Sequence, residues 1–221
     1  QTHLDLYDQI LTRTREESLT DMAALEQIVA TANDPKDQCQ QICDIINSPT
    51  CTKKNALRLA LIYALHYEKS KPELVGQVIN ALEARGPWLN QEMKYARTLV
   101  NIAGQDKRSG DIFSNRSIIA KFTKGIKNAL ENRSQYEYYR PQLEGIIKSI
   151  KEKKLDLNQY PFAKDSRRGE PQKVIIFFIG GATYMELVIA TQMSGANNSG
   201  YQFILGGTTI HNADTFLQYE V

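Results

Sequence analysis

From residue 3 to about residue 150 the apolar positions recur at helical spacing, and no stretch alternates convincingly as a strand. Leu4, Tyr7, Ile10 and Leu11 predict an amphipathic helix at the start. A second helix begins near Asp21 and carries Met22, Leu25, Ile28 and Val29; a third carries Cys39, Ile42, Cys43, Ile45 and Ile46. The stretch "TKKNALRLALIYALHYE" opens on Thr52 as an N-cap and is the most apolar helix of the chain, which predicts a place at the centre of a bundle. Pro72 suits the first turn of the next helix, which runs through Leu74, Val75, Val78, Ile79 and Leu82 until Gly86 and Pro87 stop it. Asn90 is placed to cap another, through Tyr95, Leu99 and Ile102 to Gly104. A polar loop between Gly104 and Ser114 leads to two more, one with Ile118, Ile119, Phe122, Ile126 and Leu130, the other with Leu143, Ile146, Ile147 and Ile150.

The period then changes. A charged, mildly basic connector broken by Pro161, Gly169 and Pro171 precedes Val174 to Ile179, a continuous β-branched and aromatic run of the kind found in strands covered on both faces. Thr183, with Glu186 three residues on, forms a capping box for a helix from Met185 to Met193. "NNSG" ends that helix, "YQFILGG" is a second strand, and Asn212 caps a short closing helix. Strand, helix, strand makes one βαβ unit, with parallel strands and a right-handed crossover. The expected fold class is therefore mixed: a mainly α-helical subdomain over residues 1–155, a linker over 156–171, and an α/β segment over 172–221. Two parallel strands do not make a self-sufficient sheet, because both faces need cover and both edges need partners. The expectation is that this is the C-terminal portion of a longer chain, whose upstream part completes a parallel α/β sheet.

Composition narrows the function classes. The 221 residues are 42% hydrophobic with a formal net charge of only +2, so a packed, soluble domain is expected and neither nucleic acid nor an anionic membrane is favoured as main partner. The runs "LALIYAL" and "VIIFFI" are far shorter than the roughly 20 residues of a membrane-crossing helix. The first residues show neither an initiator Met nor a signal pattern, which also suggests a fragment. Cys39, Cys43 and Cys51 fall close together without a fourth ligand or CxxC pairing; they read as small buried hydrophobes in a reducing compartment, not as a metal site.

Candidate chemistry centres on two similar turns, Gly180-Gly181 and Gly206-Gly207, each placed where a strand ends. Glycine there lets backbone N–H groups face an anion at a helix N-terminus, yet neither "GGATYMEL" nor "LGGTTIHN" has the lysine of a P-loop or the spacing of GxGxxG. Two readings stand side by side: sharp turns beside a neighbouring strand, or a nucleotide- or phosphate-binding α/β enzyme with its site at Gly180, Gly181, Gly206 and Gly207. His211 near Asp214 could be a base with an orienting carboxylate, but no nucleophile elbow accompanies it. His66 reads as an edge-of-core histidine, Trp88 as a plug under the turn after Pro87, and Tyr136, Tyr138 and Tyr139 as packing or partner-facing residues. No residue emerges as catalytic, cofactor-binding or metal-ligating. A helical adaptor acting through its bundle surface is a third possibility.

Taken together and in order, "ALRLALIYALHYE", "SGDIFS", "FTKGIKNALENRSQYEYYRPQLEGIIKSI", "YPF", "VIIFFIGGATYMEL" and "FILGGTTIHNADTFL" resemble the C-terminal part of Sec1/Munc18-like proteins, and within them the endosomal and trans-Golgi branch. The resemblance implies a non-catalytic, cofactor-free regulator of vesicle docking and membrane fusion. It would bind a syntaxin-type (Qa) SNARE and assembling SNARE complexes, and sit in the cytoplasm, peripheral at endosome and Golgi membranes through those SNAREs. In that family a helical third domain is inserted into the second, whose parallel sheet the C-terminal residues complete. The helical hairpin that meets SNARE bundles would lie mostly before Gln1, so no SNARE-contact residue is assigned in this sequence.

Overall fold

A computed structural model of the chain describes residues 2–86, 90–108, 139–163, 172–194 and 200–217. The helix expected through Ile118 to Leu130, together with Trp88, Tyr136 and Tyr138, lies outside the described residues. The chain divides into two compact units, one built on Gln1–Tyr139 and one on Arg140–Tyr219.

The first unit contains α1 (Thr2–Glu16), α2 (Leu19–Thr31), α3 (Pro35–Asn47), α4 (Lys53–Tyr67), α5 (Pro72–Ala84) and α6 (Asn90–Ala103). Their ends follow local chemistry. Asp34 accepts from the Asp37 N–H ahead of Pro35, Thr52 accepts from the Asn55 N–H at 3.2 Å, and Pro72 opens α5. Gly86, at φ 105°, adopts the left-handed conformation that ends a helix.

Helix α4 is the centre, as its all-round apolar pattern predicts. It packs against α2, α3, α5 and α6, and buries Ala56, Leu57, Leu59, Ala60, Leu61 and Tyr63 among others. Each large aliphatic so buried contributes about 1.5–3 kcal/mol. Helix α1 behaves differently. It buries no residue, and Leu4 and Ile10 are 68% and 64% exposed, so its apolar stripe is present but uncovered.

The second unit contains α7 (Leu143–Lys151), β1 (Lys173–Phe178), β2 (Ala182–Thr183), α8 (Tyr184–Met193), β3 (Gln202–Gly207), β4 (Ile210–His211) and α9 (Ala213–Leu217). β1 and β3 pair in parallel from Lys173↔Gln202 to Phe178↔Gly207, as expected of a βαβ unit. β2 and β4 continue the pairing beyond the glycine turns, Ala182↔Ile210 and Thr183↔His211, in segments too short to show a period in sequence.

The core of this unit is Leu143, Ile147, Ile189, Ala190 and Phe203, with Val174, Ile176, Phe178 and Leu205 packed against it. Two expectations change here. Helix α7 was grouped by sequence with the helices before it, whereas Leu143 and Ile147 pack on the β-layer; periodicity reveals that a helix has an apolar face but not what meets it. And β1, expected to be covered on both faces, alternates between exposed and half-buried positions; within the described residues of this unit, α7 and α8 pack on the half-buried face.

Candidate functional site

The two glycine turns meet each other. At the end of β1 the Phe178 carbonyl accepts from the Thr208 N–H at 3.0 Å, the Gly180 N–H donates to the Thr208 hydroxyl at 3.0 Å, and the Ala182 N–H donates to the Thr209 carbonyl at 3.0 Å. Gly180 and Gly181 hold φ of 108° and 118°, a region that strongly favours glycine. Space gives a second reason at Gly181: a Cβ there would lie 2.3 Å from His211 Cδ2 and 2.8 Å from Thr209 Cγ2.

The start of α8 is already occupied by an anionic group. The Glu186 carboxylate accepts from the Thr183 N–H at 2.6 Å and from the Thr183 hydroxyl at 2.8 Å. A phosphate bound at this helix start would meet that carboxylate's charge. With the N–H groups of Gly180, Ala182 and Thr183 all bonded within the chain, the geometry supports joints between strands at these turns and gives no support to the phosphate-site reading of Gly180, Gly181, Gly206 and Gly207.

His211 is buried in the same joint. Its Nε2 faces the Gly180 carbonyl at 3.0 Å and its Nδ1 the Thr215 hydroxyl at 3.4 Å, and the ring meets Phe216 edge-on at 5.7 Å. A carbonyl only accepts, so Nε2 carries the proton and is no base for a substrate. The histidine ties the second glycine turn to the first. Asn212 caps α9 as expected, accepting from the Thr215 N–H at 2.9 Å.

The feature of this unit that calls for a partner is apolar. Ile175 and Phe177 lie two residues apart along β1, with Ile179 just past its end; they are 72%, 61% and 91% exposed, and Ile204 lies beside Ile175 in the paired register. A contiguous bare sheet face of large aliphatic and aromatic side chains marks a contact surface.

In the first unit the "YALHYE" stretch proves to be a set of polar struts. The Tyr63 hydroxyl donates to the Pro35 carbonyl at 2.7 Å, His66 Nδ1 lies 2.7 Å from the Val29 carbonyl, and the Tyr67 hydroxyl donates to Gln38 Oε1 at 2.8 Å. Glu68 accepts from the Gln105 N–H, beside Gly104, where a Cβ would stand 2.7 Å from that carboxylate. Gln38 is fully buried on the apolar face of α3, and its amide donates to the carbonyls of Ile28 and Ala32. Sequence reasoning missed it, since nothing in a glutamine at a helical core position announces that its partners will be there.

Cys39 and Cys51 are buried and Cys43 is half-buried, as small hydrophobes, and among the described residues no group of three or more His, Cys, Asp or Glu stands ready for a metal ion. Burial, reinforced by the neighbouring Cys39, pushes the Cys43 thiol up to about 11. The folded protein is therefore expected to resist iodoacetamide at Cys43 at pH 8, while the urea-unfolded protein is labelled there readily; equal rates by peptide mass mapping contradict this burial. The sign for stability follows. The unfolded thiol ionises first, so stability is full below its ordinary value and declines as pH rises from there toward 11.

Comparison with known proteins agrees with this architecture. The Sec1 family profile matches residues 1–219. A vacuolar protein sorting-associated protein 45 homolog of Arabidopsis thaliana is 33% identical over 98% of this chain and 38% of its own length, and the rat protein of that name is 31% identical over the same shares. Among solved structures, the SM protein Vps45 in complex with the Qa SNARE Tlg2 superposes with a TM-score of 0.81 at 24% identity, covering 98% of this chain and 38% of that one. A structure of the SM protein Vps45 gives 0.73 at 26% identity, covering 98% and 36%. The chain thus spans about 38% of the length of the curated relatives it matches. With the helical unit, the paired glycine turns and the match over nearly every residue in agreement, the chain belongs to the Sec1 family.

Proposed function

We propose that this chain is the C-terminal portion of a Vps45-like regulator that binds a syntaxin-type Qa SNARE and assembling SNARE complexes, and so governs vesicle docking and membrane fusion in endosomal and trans-Golgi trafficking. It acts by binding, without catalysis or a cofactor, in the cytoplasm and peripherally at endosome and Golgi membranes through its SNAREs. The observation that carries this reading is the family match over residues 1–219, together with relatives named for vacuolar protein sorting. The solved Vps45 whose fold it shares is in complex with a Qa SNARE.

Within that protein the first unit is part of the helical third domain and the second unit part of the sheet-bearing second domain. The bare face at Ile175, Phe177, Ile179 and Ile204 supports this placement, because its cover would come from the preceding part of the longer chain. The test is calorimetry of the full-length protein with the cytoplasmic region of syntaxin-type SNAREs and with partially assembled SNARE complexes. Saturable binding to at least one is expected; binding to none of them overturns the reading.

A further inference from the structure

We propose that Ser48, in the turn between α3 and α4, is a phosphorylation site for a proline-directed serine kinase, and that Arg85 at the end of α5 receives the phosphate. Of the seven prolines in the sequence, Pro49 alone follows a serine or threonine. Ser48 closes α3 at φ −68° and ψ 138°, the extended form that residues before proline prefer. The Cys51 N–H donates to the Ser48 carbonyl at 3.2 Å, which makes residues 48–51 a turn with proline in second place. A proline-directed kinase selects the ring that follows its acceptor serine, and here that ring is exposed.

Donors of the kind a phosphate takes surround the Ser48 side chain. The Thr50 N–H donates to Ser48 Oγ at 3.4 Å, and the Thr50 hydroxyl lies 2.8 Å from it. That hydroxyl also lies 3.1 Å from Oγ of Ser18, which ends α1 in the left-handed conformation at φ 48°. From the other side, Arg85 Nη1 donates to the carbonyls of Ile46 and Cys51, each at 2.7 Å, and reaches the Ser48 carbonyl at 3.5 Å. The guanidinium is therefore anchored to the backbone of the turn that carries the serine. No ion pair among the described residues includes Arg85, so its charge faces carbonyl dipoles and no carboxylate. The three bonds use Nη1 alone, and the rest of the fork can meet phosphate oxygens.

The transfer takes its phosphoryl group from a nucleoside triphosphate. Ser48 Oγ gives its proton to the kinase's base and bonds to the γ-phosphorus, whose bond to the β–γ bridging oxygen breaks as the diphosphate leaves. The product brings close to two negative charges to the turn. The dipole at the end of α3 opposes them. On the other side stand Arg85 and, at the start of α4, Lys53 and Lys54, with no acidic residue in that helix's first turn. A charge-assisted, two-pronged contact with a guanidinium outweighs a dipole effect that fades within one turn. The phosphate would thus tie the end of α5 more firmly to the α3–α4 turn.

The inference does not depend on what the longer protein binds. The folded full-length protein is incubated with magnesium ATP and a purified proline-directed kinase, and the products are mapped by peptide mass. Phosphate at Ser48 is expected, and Ser48→Ala is expected to lose that site and no other. The phosphorus NMR signal that Ser48→Ala lacks is then titrated. Because the guanidinium favours the doubly charged form, the second ionisation should fall about half a pH unit lower in the parent than in Arg85→Gln. Arg85→Lys, which keeps the charge without the fork, should lie between them and gives the reading if Arg85→Gln does not fold. Ser48 left unmodified in the folded protein, while the kinase consumes a standard peptide substrate, overturns the site. An ionisation at the same pH in the parent and the Arg85 variants overturns the assignment of Arg85 as receiver.

Discussion

Ile189→Asp is expected to unfold the unit built on Arg140–Tyr219. Ile189 is fully buried, on the face of α8 that packs with Leu143, Ile147 and Phe203. An aspartate there must either hold an unpaired charge in an apolar core or take up a proton, and it leaves part of the isoleucine's volume empty. The combined loss is about 4 kcal/mol or more, a large share of the roughly 5–15 kcal/mol that a whole domain commands. Circular dichroism and proteolysis of the intact protein check it: cleavage should begin between residues 140 and 219 while α4 stays protected. A variant that melts like the parent contradicts the core described for this unit.

Gly181→Ala is expected to be strongly destabilising. The new Cβ would stand 2.3 Å from a carbon of the buried His211 ring, and alanine would have to hold φ near 118°. Overlap and backbone strain together come to about 2–4 kcal/mol. For a unit of this size that lowers Tm by roughly 10 °C or more. The cause is separable by a double-mutant cycle, because removing the ring relieves the overlap but not the strain. His211→Ala in the Gly181→Ala background should recover about 1–2 kcal/mol relative to the sum of the single effects. Strict additivity would mean that the ring and the glycine do not share that space.

Much of the architecture was legible because local chemistry and packing agree. Thr52 and Pro72 announce helix starts that the structure uses, and the apolar breadth of α4 foretells its central place. Other features were not legible, each for a physical reason. The left-handed Ser18 leaves no trace in periodicity, since the hydrophobic pattern of α1 and α2 is compatible with one helix or two. Helix α7 shows its apolar face in sequence but not the β-layer it meets. The glycine turns admitted an anion site until the acceptors of Gly180, Ala182 and Thr183 were known, because glycine permits a tight joint and a phosphate cradle alike. The continuous apolar run of β1 gave no sign that its positions would alternate between exposed and half-buried, because hydrophobicity shows which side chains can be buried and not what lies over them.

The exposed face of β1 carries the central claim, that the β1–β3 layer belongs to a larger sheet completed by preceding chain. The direct measurement is maleimide labelling of Ile175→Cys and Phe177→Cys in the full-length protein, compared with the same proteins in urea and mapped by peptide mass. The account predicts that both thiols are shielded, reacting at least about a hundredfold more slowly in the folded protein than in urea. Labelling as fast in the folded protein as in urea would show the face to be open to solvent, and would contradict the claim.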